Sequence, residues 1–256
     1  MGLVANHLDG DGMTAIAHDR PIDQMVSIET NDGAINADWS VPLRPRGTVM
    51  ILNGAGCSRF ARRNRSVARQ LYDEGFATLI LDMFTDEEER EDALTGALRL
   101  DLDLMSSRIT AATRWLSETE VAHLPVGQLT SGVATAAALL ADVRSPGEIA
   151  AIVSRGGRPD LAGIKLYKVT APVLLVVGDN DIQGIEINRW ALRRLNSEKS
   201  LVTVPNGTHH LDDPGSLAST TKLAANWFKR VMKAPPVKST SIFSLNWTDR
   251  KRHTFA

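Results

Sequence analysis

Residues 124–141 read LPVGQLTSGVATAAALLA, a stretch that predicts a buried strand, a tight turn and an alanine-rich helix. A strand that turns sharply into a helix presents a reactive side chain when its corner follows the pattern small-x-nucleophile-x-small. Laid over Thr130–Ala134, this pattern places Gly132 at the nucleophile position. The segment therefore predicts a corner shaped for a nucleophile but without a hydroxyl or thiol, which disfavours chemistry through an acyl-enzyme.

Strands and helices alternate along the rest of the chain. Short apolar runs predict strands at 48–52, 76–81, 149–153, 172–177 and 200–204, and helical spacing predicts helices at 61–74, 98–117, 185–195 and 214–232. Continuous apolar runs are typical of parallel strands that are buried on both faces. Residues 25–29 and 34–41 instead flank Asn31-Asp32-Gly33, a hairpin signal. The sequence therefore predicts an α/β fold with a mostly parallel central sheet, an N-terminal β-hairpin and helices on both faces.

Composition divides the chain of 256 residues into three segments. Residues 1–22 form a polar lead-in, residues 23–233 form the α/β domain, and residues 234–256 form a tail without clear periodicity. Pro235-Pro236 ends the last helix, because proline cannot continue it. The acidic stretch TDEEERED at 85–92 is typical of a solvated loop or a helix start rather than of a site.

Charge and cysteine content limit the classes of partner. With 29 basic and 30 acidic residues, the chain offers no electrostatic reason to bind nucleic acid or an anionic membrane. The single cysteine, Cys57, excludes an internal disulfide and suits a reducing compartment. No secretory signal or membrane-spanning run is evident. We therefore expect a cytoplasmic protein that takes a small-molecule substrate or ligand; no pattern indicates its oligomeric state.

Polar motifs follow the predicted strands in a definite order. Ligands of open α/β sheets bind beyond the carboxyl ends of the strands. Asn53-Gly54-Ala55-Gly56 follows an early strand, Asp181 follows the next strand but one after the corner, and His209 follows the last strand. An α/β-hydrolase needs these parts in the order oxyanion loop, nucleophile corner, acid and histidine.

Several long stretches carry a more specific resemblance, from about residue 26 to residue 231. They are NRSVA at 64–68, FATLILDMFT at 76–85, ATRWL at 112–116, VSRGGRPDLAG at 153–163, VLLVVG at 173–178, and Thr208-His209 with the later Pro214-Gly215. On these the chain resembles the dienelactone hydrolase-like α/β-hydrolases, in particular the hydrolase half of phosphoribosyltransferase–dienelactone hydrolase fusions. No phosphoribosyltransferase segment is recognisable, so we expect a stand-alone unit.

The resemblance implies roles for individual residues. It makes Asp181 the catalytic acid and His209 the catalytic base, and it assigns the oxyanion hole to the backbone N–H groups of Ala55 and Val133. The family pattern has His-Gly-Ser-Gly-Ser-Ser-Arg where this chain has NGAGCSR at 53–59. It has Gly-Ala-Ser-Thr-Gly where this chain has TSGVA at 130–134. Both departures fall at the predicted active site.

Three interpretations of this site remain open. In the first, His209 oriented by Asp181 acts as a base beside the oxyanion hole on a small carbonyl, ester or lactone compound, by proton transfer, lyase, isomerase, cyclisation or direct water-attack chemistry. In the second, the protein is a catalytically silent small-molecule-binding or partner protein. In the third, Cys57 or Ser131 serves as a displaced nucleophile.

A few further residues are candidates for substrate contact, and none indicates a cofactor. The substrate-binding candidates are Asn53, Cys57, Ser131, Arg59, Arg155 and Arg158. His209 and His210 are adjacent without a spaced third ligand, so we expect no metal. Gly54-x-Gly56 lacks the third glycine of a dinucleotide fingerprint, so we expect no cofactor.

Overall fold

A computed structural model describes residues 22–54 and 56–233. The predicted tail at 234–256, nearly all of the predicted lead-in, and Ala55 lie outside the described residues. The strands are β1 Ile22–Ile28, β2 Ile35–Val41, β3 Thr48–Leu52, β4 Ala77–Leu81, β5 Val126–Gly132, β6 Ala151–Gly157, β7 Val173–Gly178 and β8 Lys199–Val204. The α-helices are α1 Arg62–Asp73, α2 Asp86–Thr95, α3 Leu102–Leu116, α4 Ala134–Arg144, α5 Ile182–Arg194 and α6 Pro214–Val231.

The eight strands form one mixed sheet in the order β1-β2-β4-β3-β5-β6-β7-β8. The hairpin β1–β2 is antiparallel and joins β4 antiparallel, whereas every neighbouring pair from β4 to β8 is parallel. The predicted α/β class, with its hairpin and mostly parallel sheet, is thereby confirmed. Among the described residues, no helix combines the length and hydropathy needed to cross a membrane.

The two faces of the sheet are covered by different helices. Helices α1 and α6 pack on one face, in a core that includes Leu71 and Phe228. Helices α3 and α4 cover the other face at the β1–β5 end, where Met105 and Ala137 are buried. Helix α5 and a 3₁₀ helix at Pro159–Lys168 cover the same face beside β6 and β7.

Side chains of a strand point alternately to the two faces of the sheet. The core residues of each strand therefore show on which face the polar residue at its end lies. Val49 and Ile51 of β3, Leu129 of β5 and Ala151 and Val153 of β6 all pack in the α1/α6 core. Because successive side chains of a strand alternate, the residues two positions later lie on that same side. Asn53, Ser131 and Arg155 therefore share the α1/α6 side at the carboxyl ends of three neighbouring strands.

Two regions differ from the sequence-based expectation. Strand β6 continues through Gly157 rather than ending at Val153, since the polar residues Ser154 and Arg155 remain paired with both neighbouring strands. The acidic stretch forms helix α2, which starts at a capping box between Thr85 and Glu88. Glu88 also forms a bidentate ion pair, at 2.6 and 2.7 Å, with the fully buried guanidinium of Arg108 on α3.

Candidate active site

The corner between β5 and α4 has an unusual backbone conformation. Gly132 ends β5 with φ of 55°, and Val133 leads directly into α4. The carbonyl oxygen of Gly132 accepts a hydrogen bond from the Arg158 backbone N–H at 2.9 Å. A Cβ atom at Gly132 would have no heavy atom of the described residues within 4 Å, apart from its own chain neighbours. The corner is therefore left-handed and open, so a side chain here would cost backbone strain but meet no obstacle.

Asp181 and His209 are joined by a hydrogen bond. His209 Nδ1 lies 2.7 Å from Asp181 Oδ2, and Asp181 Oδ1 accepts from the backbone N–H of Gly184 at 2.9 Å, which caps α5. An ionised carboxylate can only accept, so Nδ1 carries the proton and Nε2 is left with a lone pair. The His209 side chain is 47 % exposed, against 12 % for Asp181. Asp181 therefore holds the imidazole in one orientation, and part of the ring remains open to solvent.

The hydrogen bonds also set the charge of Asp181. Burial is the largest single influence and raises the pKa of this carboxyl, but the hydrogen bonds from His209 and from the Gly184 N–H, together with attraction to His209 and His210, lower the pKa overall. Asp181 is therefore ionised at neutral pH, as an orienting acceptor for imidazole must be.

A glycine on β6 makes room for the histidine. Gly156 has φ of 54°, and a Cβ there would lie 2.2 Å from the carbonyl oxygen of His209. No side chain fits at that distance, so the loop that carries His209 rests against bare backbone at the end of β6. Gly156 was not among the predicted site residues, although the paired glycines in SRGGR at 154–158 were a usable signal.

The hydroxyl next to the corner has a different partner. Ser131 Oγ donates to Asn53 Oδ1 at 2.9 Å, which links the ends of β5 and β3. Asn53 is 3 % exposed, and its Nδ2 has no acceptor among the described residues. Two of the candidate substrate-contact residues thus lie together, with one amide donor left over.

The three candidate arginines have unlike surroundings. Arg59 is 7 % exposed and forms ion pairs with Asp38, at 3.1 Å, and with Asp82. Arg158 forms a bidentate pair with the Asp160 carboxylate at 2.9 and 2.8 Å. Arg59 and Arg158 therefore brace loops beside the site. Arg155, by contrast, is 6 % exposed, and its Nε and Nη1 have no acceptor among the described residues.

The loop that follows β3 adds two features. Cys57 is half-buried, and its Sγ is contacted by Nη2 of Arg63, the second residue of α1. Glu89 of α2 accepts a hydrogen bond from the backbone N–H of Gly56, and burial raises the pKa of its carboxyl. Glu89 was not among the predicted site residues, since only the folded chain brings α2 to this loop.

The remaining expectations concern the oxyanion hole and metals. Val133 stands just before the first turn of α4, where backbone N–H groups lack partners within the helix. The other predicted donor, Ala55, lies outside the described residues. Within residues 22–54 and 56–233, no group of three or more His, Cys, Asp or Glu side chains is placed to hold a metal ion.

The mostly parallel sheet, the left-handed corner after β5 and the Asp181–His209 pair define an α/β-hydrolase fold. Comparison with known proteins makes the family specific. The crystal structure of dienelactone hydrolase from Anabaena variabilis is 39 % identical, has a TM-score of 0.80, and matches 83 % of this chain and 99 % of that one. The chain belongs to the dienelactone hydrolase family.

More distant and partial matches agree with this family. Est1E from Butyrivibrio proteoclasticus shares the fold with a TM-score of 0.67 at 17 % identity, over 80 % of this chain and 98 % of that one. A Mycobacterium tuberculosis protein provisionally named a phosphoribosyl transferase is 40 % identical over 219 residues, which are 85 % of this chain and 48 % of that protein. The chain thus spans about half the length of this curated relative. No model of a protein family matches the chain.

Proposed function

We propose that this protein is an atypical member of the dienelactone hydrolase family that works without a serine or cysteine nucleophile at the corner after β5. His209, oriented by Asp181, is the base, and the backbone N–H groups at the corner stabilise a developing oxyanion on a small carbonyl, ester or lactone compound. Proton transfer, lyase, isomerase and cyclisation chemistry and direct attack by water are all within reach of such a pair.

The observation that carries this proposal is the 2.7 Å hydrogen bond between Asp181 and His209 in a fold whose corner after β5 has a glycine. Removing the serine of a catalytic triad costs about a million-fold in turnover, because the nucleophile and its base act as a unit. A base that remains hydrogen-bonded and accessible is still competent for reactions that need only a proton acceptor.

Phosphoribosyl transfer is not part of the proposal. The 219 residues shared with the Mycobacterium tuberculosis protein make up 48 % of it, and they include most of this chain. The same chain matches 99 % of a solved dienelactone hydrolase. The name of the longer protein therefore gives no reason to assign phosphoribosyl transfer to this chain.

A displaced nucleophile is the second candidate, because Cys57 lies in the loop after β3 with the Arg63 guanidinium against its sulfur. A cation beside the sulfur is a setting in which reactive cysteines occur. On this alternative the protein would hydrolyse esters through a thioester at Cys57. A catalytically silent small-molecule binder is the outcome if neither His209 nor Cys57 supports turnover.

The test measures proton abstraction directly. The protein is incubated with γ-butyrolactone and with small ketones in D₂O, and NMR follows deuterium uptake at the carbon next to the carbonyl. We expect uptake that is lost in His209→Ala and retained in Cys57→Ala. Equal uptake by wild type and His209→Ala would overturn the proposal. Turnover of 4-nitrophenyl esters that disappears in Cys57→Ala would favour the displaced nucleophile.

A further inference from the structure

Arg155 is a buried arginine that forms no ion pair with any of the described residues. The residue is 6 % exposed, and neither Nε nor Nη1 has an acceptor in residues 22–54 or 56–233. Arginine remains positively charged at any ordinary pH. A buried charge that is neither paired nor hydrogen-bonded is costly, and such groups are found almost always with a counter-charge. Among the described residues, no anion is hydrogen-bonded to Arg155 to balance its charge.

Two other buried donors near this edge of the sheet lack acceptors in the described part of the chain. Arg155 and Asn53 lie on the α1/α6 side of the sheet, at the ends of strands separated only by β5. Helix α1 carries Arg63, whose buried Nε also has no acceptor in the described part of the chain, as is true of Asn53 Nδ2. Arg155, Arg63 and Asn53 thus each hold at least one buried donor nitrogen that no described residue accepts from.

Within the described residues, no carboxylate forms an ion pair with Arg155. Burial lowers the pKa of Arg155 and the positive charge of Arg63 lowers it further, whereas attraction to Cys57 and Asp212 raises it by less, so the pKa is lowered overall. Asp212 approaches Arg63 Nη1 only to 3.9 Å, and its side chain is 47 % exposed. Its attraction is weakened by solvent and does not satisfy the buried nitrogens.

We propose that Arg155, Arg63 and the Asn53 amide form a subsite for the phosphate group of a phosphorylated substrate. Guanidinium groups recognise planar and tetrahedral oxyanions through charge-assisted hydrogen bonds. Two cations and an amide donor suit a group with three terminal oxygens and up to two negative charges better than a carboxylate with two oxygens. The side chain of Arg63 is 33 % exposed, which opens the subsite to solvent on the α1 side.

This subsite rests on the proposed function, since it would hold a substrate beside His209, but its test does not require turnover. Inorganic phosphate is titrated into the protein by isothermal calorimetry at constant ionic strength, with chloride as the balancing anion. We expect saturable binding that weakens about tenfold or more in Arg155→Met and in Arg63→Met, because each loses hydrogen bonds to a charged group. Arg62→Met removes an exposed arginine from the same helix and is the matched control, with unchanged binding.

Two variants and one competitor separate the possible outcomes. Arg63 lies at the start of α1, so Arg63→Met keeps the test decisive if Arg155→Met fails to fold. His209→Ala is expected to bind phosphate like wild type, so loss of proton abstraction without loss of phosphate binding would overturn only the proposed function. Equal phosphate binding in Arg155→Met, Arg63→Met and wild type would overturn the subsite. Acetate or succinate binding as tightly as phosphate would overturn the assignment to a phosphate group.

Discussion

Ser131 donates its hydroxyl hydrogen to Asn53 Oδ1 at 2.9 Å, across the ends of β5 and β3. This contact ties the residue before the corner to the loop where the oxyanion hole was predicted. An amide oxygen is not a base, so the partner does not activate the hydroxyl for attack. Ser131 is therefore better explained as a positioning group for Asn53 than as a displaced nucleophile.

Ser131→Ala is expected to lower the free energy of unfolding by about 1–2 kcal/mol, because a part-buried hydrogen bond is lost and Asn53 Oδ1 is left without a donor. Deuterium uptake by carbonyl compounds should continue. Urea unfolding of Ser131→Ala, Asn53→Ala and the double variant measures the coupling, and the two single effects should not add. Loss of all turnover with unchanged stability would instead make Ser131 a nucleophile.

Gly132→Ser tests whether the rest of the hydrolase machinery is in place. A Cβ at Gly132 would meet no described atom within 4 Å, but φ of 55° is strained for any other residue. The expected cost is about 1–2 kcal/mol, or a fall of about 2–8 °C in Tm. If His209 is aligned with the corner, the new hydroxyl should add turnover of 4-nitrophenyl esters. Gly132→Ala is the matched control, with the same strain and no hydroxyl.

Absence of esterase activity in a well-folded Gly132→Ser would show that the imidazole is not aligned with the corner. The result would count against the proposed base, because both activities need the same free Nε2 of His209. A similar loss of Tm in Gly132→Ser and Gly132→Ala would identify the backbone strain as its cause.

Gly156→Ala is expected to displace the histidine loop. Its Cβ would lie 2.2 Å from the His209 carbonyl oxygen, so backbone must move in addition to the strain of a left-handed residue. Gly163 has a similar φ of 58°, and a Cβ there would have no described atom within 4 Å, so Gly163→Ala isolates the strain. Gly163 has ψ of −135°, a combination that is essentially limited to glycine, so we expect Gly163→Ala to cost about 1–3 kcal/mol and to keep activity. Gly156→Ala is expected to cost more and to abolish activity.

Thermal unfolding and deuterium uptake, measured on both variants, decide this point. Equal stability and equal activity in Gly156→Ala and Gly163→Ala would mean that the loop carrying His209 is free to move without consequence for the site.

Much of the fold was predictable, because parallel strands that are buried on both faces consist of continuous runs of apolar residues. Thr48–Leu52 is an example in which the predicted and observed strand coincide. Strand β6 was predicted too short, since Ser154 and Arg155 are polar and polarity is normally read as the end of a strand. In the folded chain the Ser154 hydroxyl lies 3.2 Å from that of Thr135 on α4, a long-range contact that local sequence does not reveal.

The acidic stretch at 85–92 also contains a signal for a helix start, which its charge alone does not show. Thr85 followed three residues later by Glu88 is the pattern of a capping box, which predicts a helix start. What the pattern could not predict is the second partner of Glu88, since Arg108 is twenty residues further along the chain.

The order of the candidate site residues along the chain was predictable, but the contacts of their side chains were not. Asp181 and His209 were selected from their positions after successive strands, and the structure places them within hydrogen-bond distance; their catalytic roles remain predictions. Arg59 could not be separated from Arg155 by sequence, because both are arginines that follow predicted strands. In the folded chain Arg59 forms ion pairs with two carboxylates, whereas Arg155 forms none with the described residues.

The Asp181–His209 pair should make stability depend on pH in the acid range. The pKa of Asp181 is lowered in the folded protein, so its ionised form favours folding. This contribution is fully present above the unfolded value of about 3.9 and is lost as the pH falls through the lower folded pKa. Asp181→Asn should therefore be less stable than wild type at neutral pH, with a difference that shrinks as the pH falls below about 4.

Urea unfolding of wild type and Asp181→Asn between neutral pH and about pH 2.5 measures this difference. Asp179→Asn removes an exposed carboxylate two residues earlier and shows whether any nearby charge has the same effect. A stability difference that is constant across the range would mean that the His209 hydrogen bond does not depend on the charge of Asp181.

Glu88→Gln tests the ion pair that joins α2 to α3. The guanidinium of Arg108 is fully buried, and both of its terminal nitrogens bond the Glu88 carboxylate, at 2.6 and 2.7 Å. Removing one partner of a buried pair leaves an uncompensated charge, which costs about 3–5 kcal/mol. Because Glu88 is 23 % exposed, we expect the lower end, about 3 kcal/mol. Glu87→Gln changes an exposed neighbour on the same helix and should alter stability by less than about 0.5 kcal/mol.

The effect of Glu88→Gln should also reach the loop after β3. Helix α2 carries Glu89, which accepts the Gly56 backbone N–H, so loosening α2 removes a restraint on the predicted oxyanion loop. Hydrogen exchange at the Gly56 amide is therefore expected to speed up in Glu88→Gln and to stay unchanged in Glu87→Gln. If stability falls while exchange at Gly56 does not change, the ion pair holds α2 to α3 without any influence on the site.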